Sequence, residues 1–486
     1  SGNSATLTKY NGKNVHVEIP STVTHNGISY SVEKIKDGAF AGCTDIISIT
    51  IPKSVNQILG KAFTGCSNLE AFHVVAENTT YCAVEGVLFK KLQKKPATLV
   101  AYPANKASTS YTIPESVTSI FDDAFQSCPN LEEIIFTPTS ASDYSAKDGV
   151  LFKTETTNGA SEKRLIKYPE AKKDPSYTIP ADVDRVNKDA FFNCTNLTSI
   201  TIPTGMNGVI EPDAFSGSTK LTEFKVADGN KTYSAEEGVL FNAGKTTLFL
   251  YPKGKSDSYE IPDTVQSIRT QAFQNCSGLT HVTIPASVKS DGTSSFYVPG
   301  LGSYAFSGCT GLTKVTFADS STLDSIEEGA FANCTALAEI NLPESITSIG
   351  RQAFENCSSL TSITIPQRVE TIYEYAFSGC TGLTSITIPK SVSKIGGDAF
   401  SGCSNDLYII YNGSSTINWE DAGIKSAQVK VQANPRKPTL QLQSCTSKTI
   451  TLKAEPEIQG TPVEYRMQGG TWQDLPTFTG LTPNTS

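Results

Sequence analysis

The chain is poor in the residues from which catalytic centres are built. It has 4 histidines in 486 residues, His16, His25, His73 and His281. His73 and His281 fall on the outward side of repeated strands, at least four repeat units apart. At about 4.8 Å per strand step they lie roughly 20 Å or more from each other, so they share no site, and each reads as a solvated surface residue. No Gly-x-Ser-x-Gly, His-Glu-x-x-His or phosphate-cradling glycine loop occurs. Acidic residues such as Asp122, Asp123, Glu327 and Glu328 sit just before the repeated Ala and read as solvated turns rather than as a carboxylate pair. Catalysis needs an acid, base, nucleophile or metal set converging within a few ångströms. The expectation is therefore a protein without enzymatic activity and without a cofactor.

Long apolar runs and basic clusters are missing as well. Nowhere do 18 consecutive apolar residues occur, and the sequence begins at Ser1 without a charged or apolar leader. No membrane span is expected, and any export signal or anchor is expected to lie outside this sequence. The formal net charge is −8, and the densest basic run, Lys90, Lys91, Lys94 and Lys95, reads as a solvated hairpin tip. Both facts argue against a non-specific binder of nucleic acid or anionic membrane. The 12 cysteines contain no Cys-x-x-Cys pair, which argues against zinc.

What the chain has in abundance is repetition. Phe331, Phe354, Phe377 and Phe400 recur at an interval of 23 residues, each after an Ala and three places before a Cys. In the unit that starts at Ala353, Leu360, Ile363 and Ile365 predict a short strand, with the Ile side chains pointing one way and Ser362 and Thr364 the other. Pro366 ends it, since proline lacks the N–H that a strand interior needs. The remaining apolar positions, Val369, Ile372, Ala376 and the next Phe, follow at irregular spacings and predict turns or 3₁₀ pieces on an opposite wall. One unit is thus one coil of a solenoid, stable only when stacked on its neighbours. Ten cysteines hold the place three after the repeat Phe, and Ser218 holds it in an eleventh unit. A position that recurs in every coil and accepts Ser predicts an inward ladder of small side chains, with free thiols.

The pattern Leu-x-x-Ile-x-Ile-Pro, then Val-x-x-Ile, then Ala-Phe-x-x-Cys resembles the BspA-type, or Treponema-type, leucine-rich repeat of bacterial cell-surface proteins. The likeness implies a β-rich leucine-rich-repeat solenoid with short parallel ladder strands. It also implies a secreted or surface-tethered protein that adheres to host matrix proteins or to other cells. A glycan-binding or scaffolding component of a surface nutrient-capture system is the alternative.

Residues 1–38 lack the full unit and read as an amino-terminal cap, with Asn26-Gly27 as a hairpin turn. The solenoid is expected over 39–433, with long inserts near 77–120, 141–187 and 229–269. All three inserts share Gly-Val-Leu-Phe (from Gly86, Gly149 and Gly238), then Tyr-Pro, then Tyr-x-Ile-Pro, and each predicts an extra coil with a projecting β-hairpin. Ser290 to Ser303 reads as a smaller surface loop, 434–438 as a linker, and 439–486 as a partial β-sandwich resembling the start of a fibronectin type III module. Its core would hold Ile450, Leu452, Tyr465, Trp472, Phe478 and Leu481.

The candidate binding surface lies on the outward strand positions and the loop. It comprises Ser199, Thr201, Glu223, Lys225, His281, Thr283, Lys314, Thr316, Glu339 and Asn341, with Phe296 and Tyr297 on the loop. The wall is mostly hydroxyl. It reads either as a Ser/Thr ladder suited to strands or as a broad polar face for a protein or glycan partner. An aromatic platform among Phe296, Tyr297 and the insert tyrosines would favour glycan.

Overall fold

A computed structural model describes residues 3–137, 142–157, 159–289, 300–413, 417–424, 429–431, 439–445, 449–455 and 477–479. The chain is a β-solenoid of about 17 turns, with no α-helix among the described residues.

Each coil has two strand walls joined by bends. On the first wall the Leu-x-x-Ile-x-Ile segments pair in parallel and in register, as in Ser48↔Ala71, Ile49↔Phe72 and Ile51↔Val74. Their alternation puts Ile49 and Ile51 in the core and Thr50 outside. The bend follows because the proline carbonyl accepts the N–H three residues on, as in Val369 N to Pro366 O at 3.1 Å. That Val is buried, and the chain then enters the second wall.

The second wall is more regular than its sequence spacing predicts. Turns are present, but between them two-residue strands form a second parallel ladder, Ile326↔Ile349↔Ile372↔Ile395. The one described 3₁₀ helix is Pro212–Phe215. Conversely, the first-wall strand of the unit that begins at Ala353 reduces to a single bridge, Thr364↔Thr387.

The corner between the walls is the Ala-Phe-x-x-Cys turn. Its Phe N–H donates to the Ala carbonyl of the following coil, as in Phe354 N to Ala376 O at 2.8 Å. The Phe rings consequently stack, with centroids 5.4 to 5.6 Å apart from Phe306 to Phe400. The thiols of Cys309, Cys334, Cys357, Cys380 and Cys403 each donate to the Phe carbonyl of the preceding coil, as in Cys357 Sγ to Phe331 O at 3.2 Å, and those of Cys194 and Cys276 to the Tyr carbonyl that takes its place. Ser218 makes the same bond to Phe191 O, which explains why serine is accepted in this column. The eleven cysteines from Cys43 to Cys403 are free, and burial pushes the thiols of Cys66, Cys128 and Cys194 up to about 12.

The residue before the Cys has a left-handed backbone in coil after coil. It is Gly at 42, 65, 217, 308, 379 and 402, Asn at 193, 275, 333 and 356, and Ser at 127. Glycine reaches this region freely and asparagine tolerates it.

The three inserts are complete coils. Tyr102, Tyr168 and Tyr251 of the Tyr-Pro pairs take the Phe place: each donates its N–H to the next Ala carbonyl and lies 4.9 to 5.5 Å from the next Phe ring. The Tyr-x-Ile-Pro strands join the first ladder, as in Tyr177↔Ile200. Ahead of each Tyr-Pro lies a three-stranded antiparallel meander rather than a single hairpin, for example Tyr81–Val84, Val87–Leu92 and Lys95–Ala101. Its first turn is a two-residue loop with positive φ at both places: Glu85-Gly86, Asp148-Gly149 and Glu237-Gly238. These acidic-Gly pairs are the hairpin signal that the Gly-Val-Leu-Phe text announces.

At the start of the array Tyr10 stacks on Phe40 at 5.4 Å, and at the end Phe400 N donates to Ala422 O, with Trp419 packed edge-on against Tyr411. Further on, Thr439–Cys445, Thr449–Glu455 and Thr477–Thr479 pair antiparallel. Tyr465, Trp472 and Leu481, assigned above to a sandwich core, lie outside the described residues.

Candidate functional site

The outward positions of the first wall form the candidate surface, and strand register decides which of them meet. His281, Lys314 and Glu339 are direct neighbours on three successive strands, and Thr283 is paired with Thr316. Lys314 Nζ lies 2.7 Å from Glu339 Oε1, and His281 Nε2 lies 3.0 Å from Thr316 Oγ1. His281, Thr283, Lys314, Thr316 and Glu339 therefore make one polar patch, with Asn341 exposed two residues beyond Glu339 on the same face. Both members of the Lys314–Glu339 pair are substantially exposed, so the pair contributes little to stability.

A second group lies across the third insert. Glu223 and Lys225, two residues apart on one face, pair at 2.7 Å, and Thr201 is in register with Lys225. The hydrogen bond from Lys225 holds the Glu223 carboxyl below its usual range, helped by one from Ser199. Ser199 corrects the reading from sequence: it is 5% exposed, buried between Ser176 and Glu223 in the ladder. The acidic-Gly turn of the third insert fixes this cover, because a Cβ on Gly238 would stand only 2.9 Å from the Glu223 Cβ.

Phe296 and Tyr297 lie outside the described residues, as does Ser290 to Pro299 of the expected loop; Gly300 and Leu301 belong to the second ladder. The insert tyrosines form no outer aromatic platform. Tyr81, Tyr102, Tyr111, Tyr144, Tyr168, Tyr233, Tyr251 and Tyr259 are all buried. The Tyr-Pro setting places Tyr102, Tyr168 and Tyr251 in the Phe column, the Tyr-x-Ile-Pro setting places Tyr111 and Tyr259 in the first ladder, and Tyr81, Tyr144 and Tyr233 open the first strand of each meander.

The spacing of the repeat does not reveal one polar feature on the corner edge. Lys167 and Glu170 flank the second Tyr-Pro, are 4% exposed each, and pair at 3.0 Å. The aligned text offers a signal: the first insert has Ala101 and Ala104 at these places, the third Leu250 and Lys253. No group of three or more His, Cys, Asp or Glu among the described residues is arranged to hold a metal ion. Among the same residues, no helix is long and apolar enough to cross a membrane.

The chain matches the BspA-type leucine-rich repeat region over residues 18–85, 101–147, 172–242, 246–301 and 299–420. No curated protein matches it. Among solved structures it is similar to a leucine-rich cell surface protein from Faecalibacterium prausnitzii (25% identity, 87% of this chain and 94% of that one, TM-score 0.40). It is also similar to a leucine-rich repeat protein from Bacteroides ovatus (23% identity, 83% and 91%, TM-score 0.33). The pneumococcal vaccine antigen PcpA shows 20% identity over 86% of this chain and 85% of that one, with a TM-score of 0.36. With the matched segments covering well over half of its length, the chain belongs to the BspA-type leucine-rich repeat family.

Proposed function

We propose that this is a non-enzymatic binding protein of the bacterial surface or exterior, presenting its first strand wall to a host matrix protein or another cell. Family membership supports the surface setting. The observation that carries the reading is the patch of His281, Lys314, Thr316 and Glu339, whose polar groups are ordered by strand register yet left open to solvent. Mixed charge on a rigid sheet suits a protein partner, where complementarity sets the on-rate and specificity. The glycan alternative, as a component of nutrient capture, does not gain the aromatic platform it would need from the insert tyrosines; its support lies on another edge of the solenoid.

The test is capture of the purified chain by immobilised matrix proteins and by intact cells at physiological salt. Saturable binding that falls at least tenfold in the triple variant His281→Ala, Lys314→Ala, Glu339→Ala supports the reading. Absence of binding to any matrix protein or cell, or binding indifferent to the triple variant, would sink it.

A further inference from the structure

The corner edge of the solenoid carries a groove that the repeat itself would not make. In a regular coil the Ala-Phe-x-x-Cys turn reaches the edge. In the inserts the chain after Tyr-Pro instead bonds back to the Leu of the preceding coil: Asn105 N to Leu69 O, Ala171 N to Leu131 O, Gly254 N to Leu221 O. The insert bend is thereby set back from the edge, and the turns on either side face each other across it. At the first insert they touch, with Lys61 N donating to Asp123 Oδ2 and Thr64 Oγ1 to Gln126 Oε1, 62 positions apart in sequence. Along the same edge, over the second insert and up to Gln271 and Gln274, they enclose a groove of about 690 Å³. This is within the range of about 300–1,000 Å³ typical of small-molecule sites.

The groove is chemically specialised at its floor. Lys167 lies there with its ammonium 3.0 Å from Glu170 Oε1 and 5.7 Å over the Phe192 ring. Glu170 Oε1 also accepts the Cys128 N–H at 2.8 Å. An ammonium has three donors, and the Glu170 bond uses one, so donors remain for a ligand. Burying an ion pair stabilises a fold no better than apolar side chains of the same shape, and the sister inserts use Ala101 and Leu250 in place of Lys167. Glu170 thus serves the fold by accepting the Cys128 N–H, while Lys167, which no sister insert has, is the member with donors to spare.

The walls hold charge of both signs. Asp122, Asp123, Asp189 and Asp213 face Lys61, Lys167 and Lys188, and Lys188 pairs with Asp213 at 3.2 Å. Burial raises the carboxyl pKa of both Asp123 and Asp189, and both side chains line the groove. Four carboxylates repel an anion and three ammoniums repel a cation. A neutral ligand rich in hydroxyls meets both sets favourably, with half-buried Phe121 and Phe192 to cover its apolar faces. We infer that this edge groove is a binding site for a neutral oligosaccharide, held by the Lys167 ammonium from below and by Asp123 and Asp189 from the sides.

The site is separate from the strand-wall patch, so the two readings fail separately. The test is a glycan array of neutral glucans, mannans, galactans and xylans, with sulfated and sialylated glycans and matrix peptides alongside. The full chain is compared with Lys167→Ala/Glu170→Ala, which copies the first insert, and with Asp189→Asn, which leaves the floor intact. Thermal melts identify variants that stay folded. Saturable binding of at least one neutral glycan, little affected by salt and weakened at least tenfold in both folded variants, is expected. Binding of none of the neutral glycans, of charged glycans or peptides only, or equally by all three proteins, would overturn the inference. The triple strand-wall variant is expected to keep the glycan and lose the protein partner.

Discussion

The order of Asn and Gly in the column before the Cys can be tested with two substitutions that look alike on paper. Gly379 and Gly402 have nearly the same backbone, φ +71° and φ +70°. A Cβ on Gly402 would find only the Gly379 backbone, at 3.6 Å, whereas a Cβ on Gly379 would lie 2.1 Å from Asn356 Oδ1. Alanine in the left-handed region costs about 1–2 kcal/mol, offset by about 0.4–1 kcal/mol from the stiffer unfolded chain. Gly402→Ala is therefore expected to lose about 1 kcal/mol. Gly379→Ala must also displace Asn356, whose Nδ2 donates to Asn333 Oδ1 at 2.9 Å. Overpacking adds about 1–3 kcal/mol, for a total of about 2–4 kcal/mol. Replacing Asn356 by Gly, which suits its φ of +58°, removes the obstacle, so the double variant should recover about 1–3 kcal/mol as a coupling term. Urea unfolding followed by circular dichroism reads all five proteins: the parent, Gly402→Ala, Gly379→Ala, Asn356→Gly and the Gly379→Ala/Asn356→Gly double variant. Equal losses in the two alanine variants, or a coupling below about 0.5 kcal/mol, would refute the reasoning.

Other consequences are as direct. Cys357→Ser should stay within about 1 kcal/mol of the parent because Ser218 already makes this bond, while Cys357→Val should cost about 1–3 kcal/mol by crowding; denaturant midpoints decide. The ladder thiols carry pKa values raised by burial, so the folded chain holds protons that the unfolded chain releases above about pH 9. Stability is then full below pH 9 and falls as pH rises towards about 12, and a melting temperature flat from pH 9 to 11 would contradict this. Asn78 is 2% exposed, donates to Pro52 O and Val55 O, and accepts from Thr80 N and Tyr81 N. Asn78→Ala should cost about 2–4 kcal/mol, since each buried group left unpaired costs about 1–3 kcal/mol, and calorimetry would show a smaller loss if the site relaxes. The hydroxyls of Tyr102, Tyr168 and Tyr251 are buried without a protein partner, so each Tyr→Phe change should fall within about 0.5 kcal/mol of the parent. A loss above about 1 kcal/mol would identify a bound water bridging that hydroxyl.

The coil was legible because its constraints are local and recur. Pro after the ladder strand, Phe in the corner and Cys inside each answer to one packing need, so the 23-residue interval reports them directly. The second ladder was not legible: two-residue strands such as Ser348-Ile349 are too short to show a period of two, and only their parallel neighbours make them strands. The meander was half visible, since the eye goes to its variable tip, whereas the fixed acidic-Gly turns set its geometry. Ser199 was misjudged because alternation tells which side a residue faces, and says nothing of the Glu223 side chain that covers it. The His281 patch was recoverable residue by residue but not as a patch. Its members come from strands 33 and 25 residues apart, and only register unites them.

The inserts explain why a nearly uniform repeat has one distinctive region. Each insert contributes a strand to both walls, because Tyr-x-Ile-Pro joins the first ladder and the last meander strand joins the second, as in Leu165↔Val186. The same insert withholds its turn from the corner edge. Strand spacing fixes the rise on the walls, so an edge that loses members must either draw its remaining turns together or leave a gap between them. Both outcomes occur: contact at Lys61 and Asp123, and a groove over Lys167. Beyond Phe306 no long insert interrupts the array, and the rings settle to a near-constant 5.4 to 5.6 Å with interplanar angles of 6° to 10°. A regular stack presents the same corner at every step and has no place at which to recognise a compact ligand. The irregular half, where the three inserts fall between the Phe63 and Phe273 turns, is where the fold makes a concave site. Transplanting the second insert in place of one regular coil near Phe354 should therefore create a new edge notch, readable as added protection of the flanking turns on ligand binding.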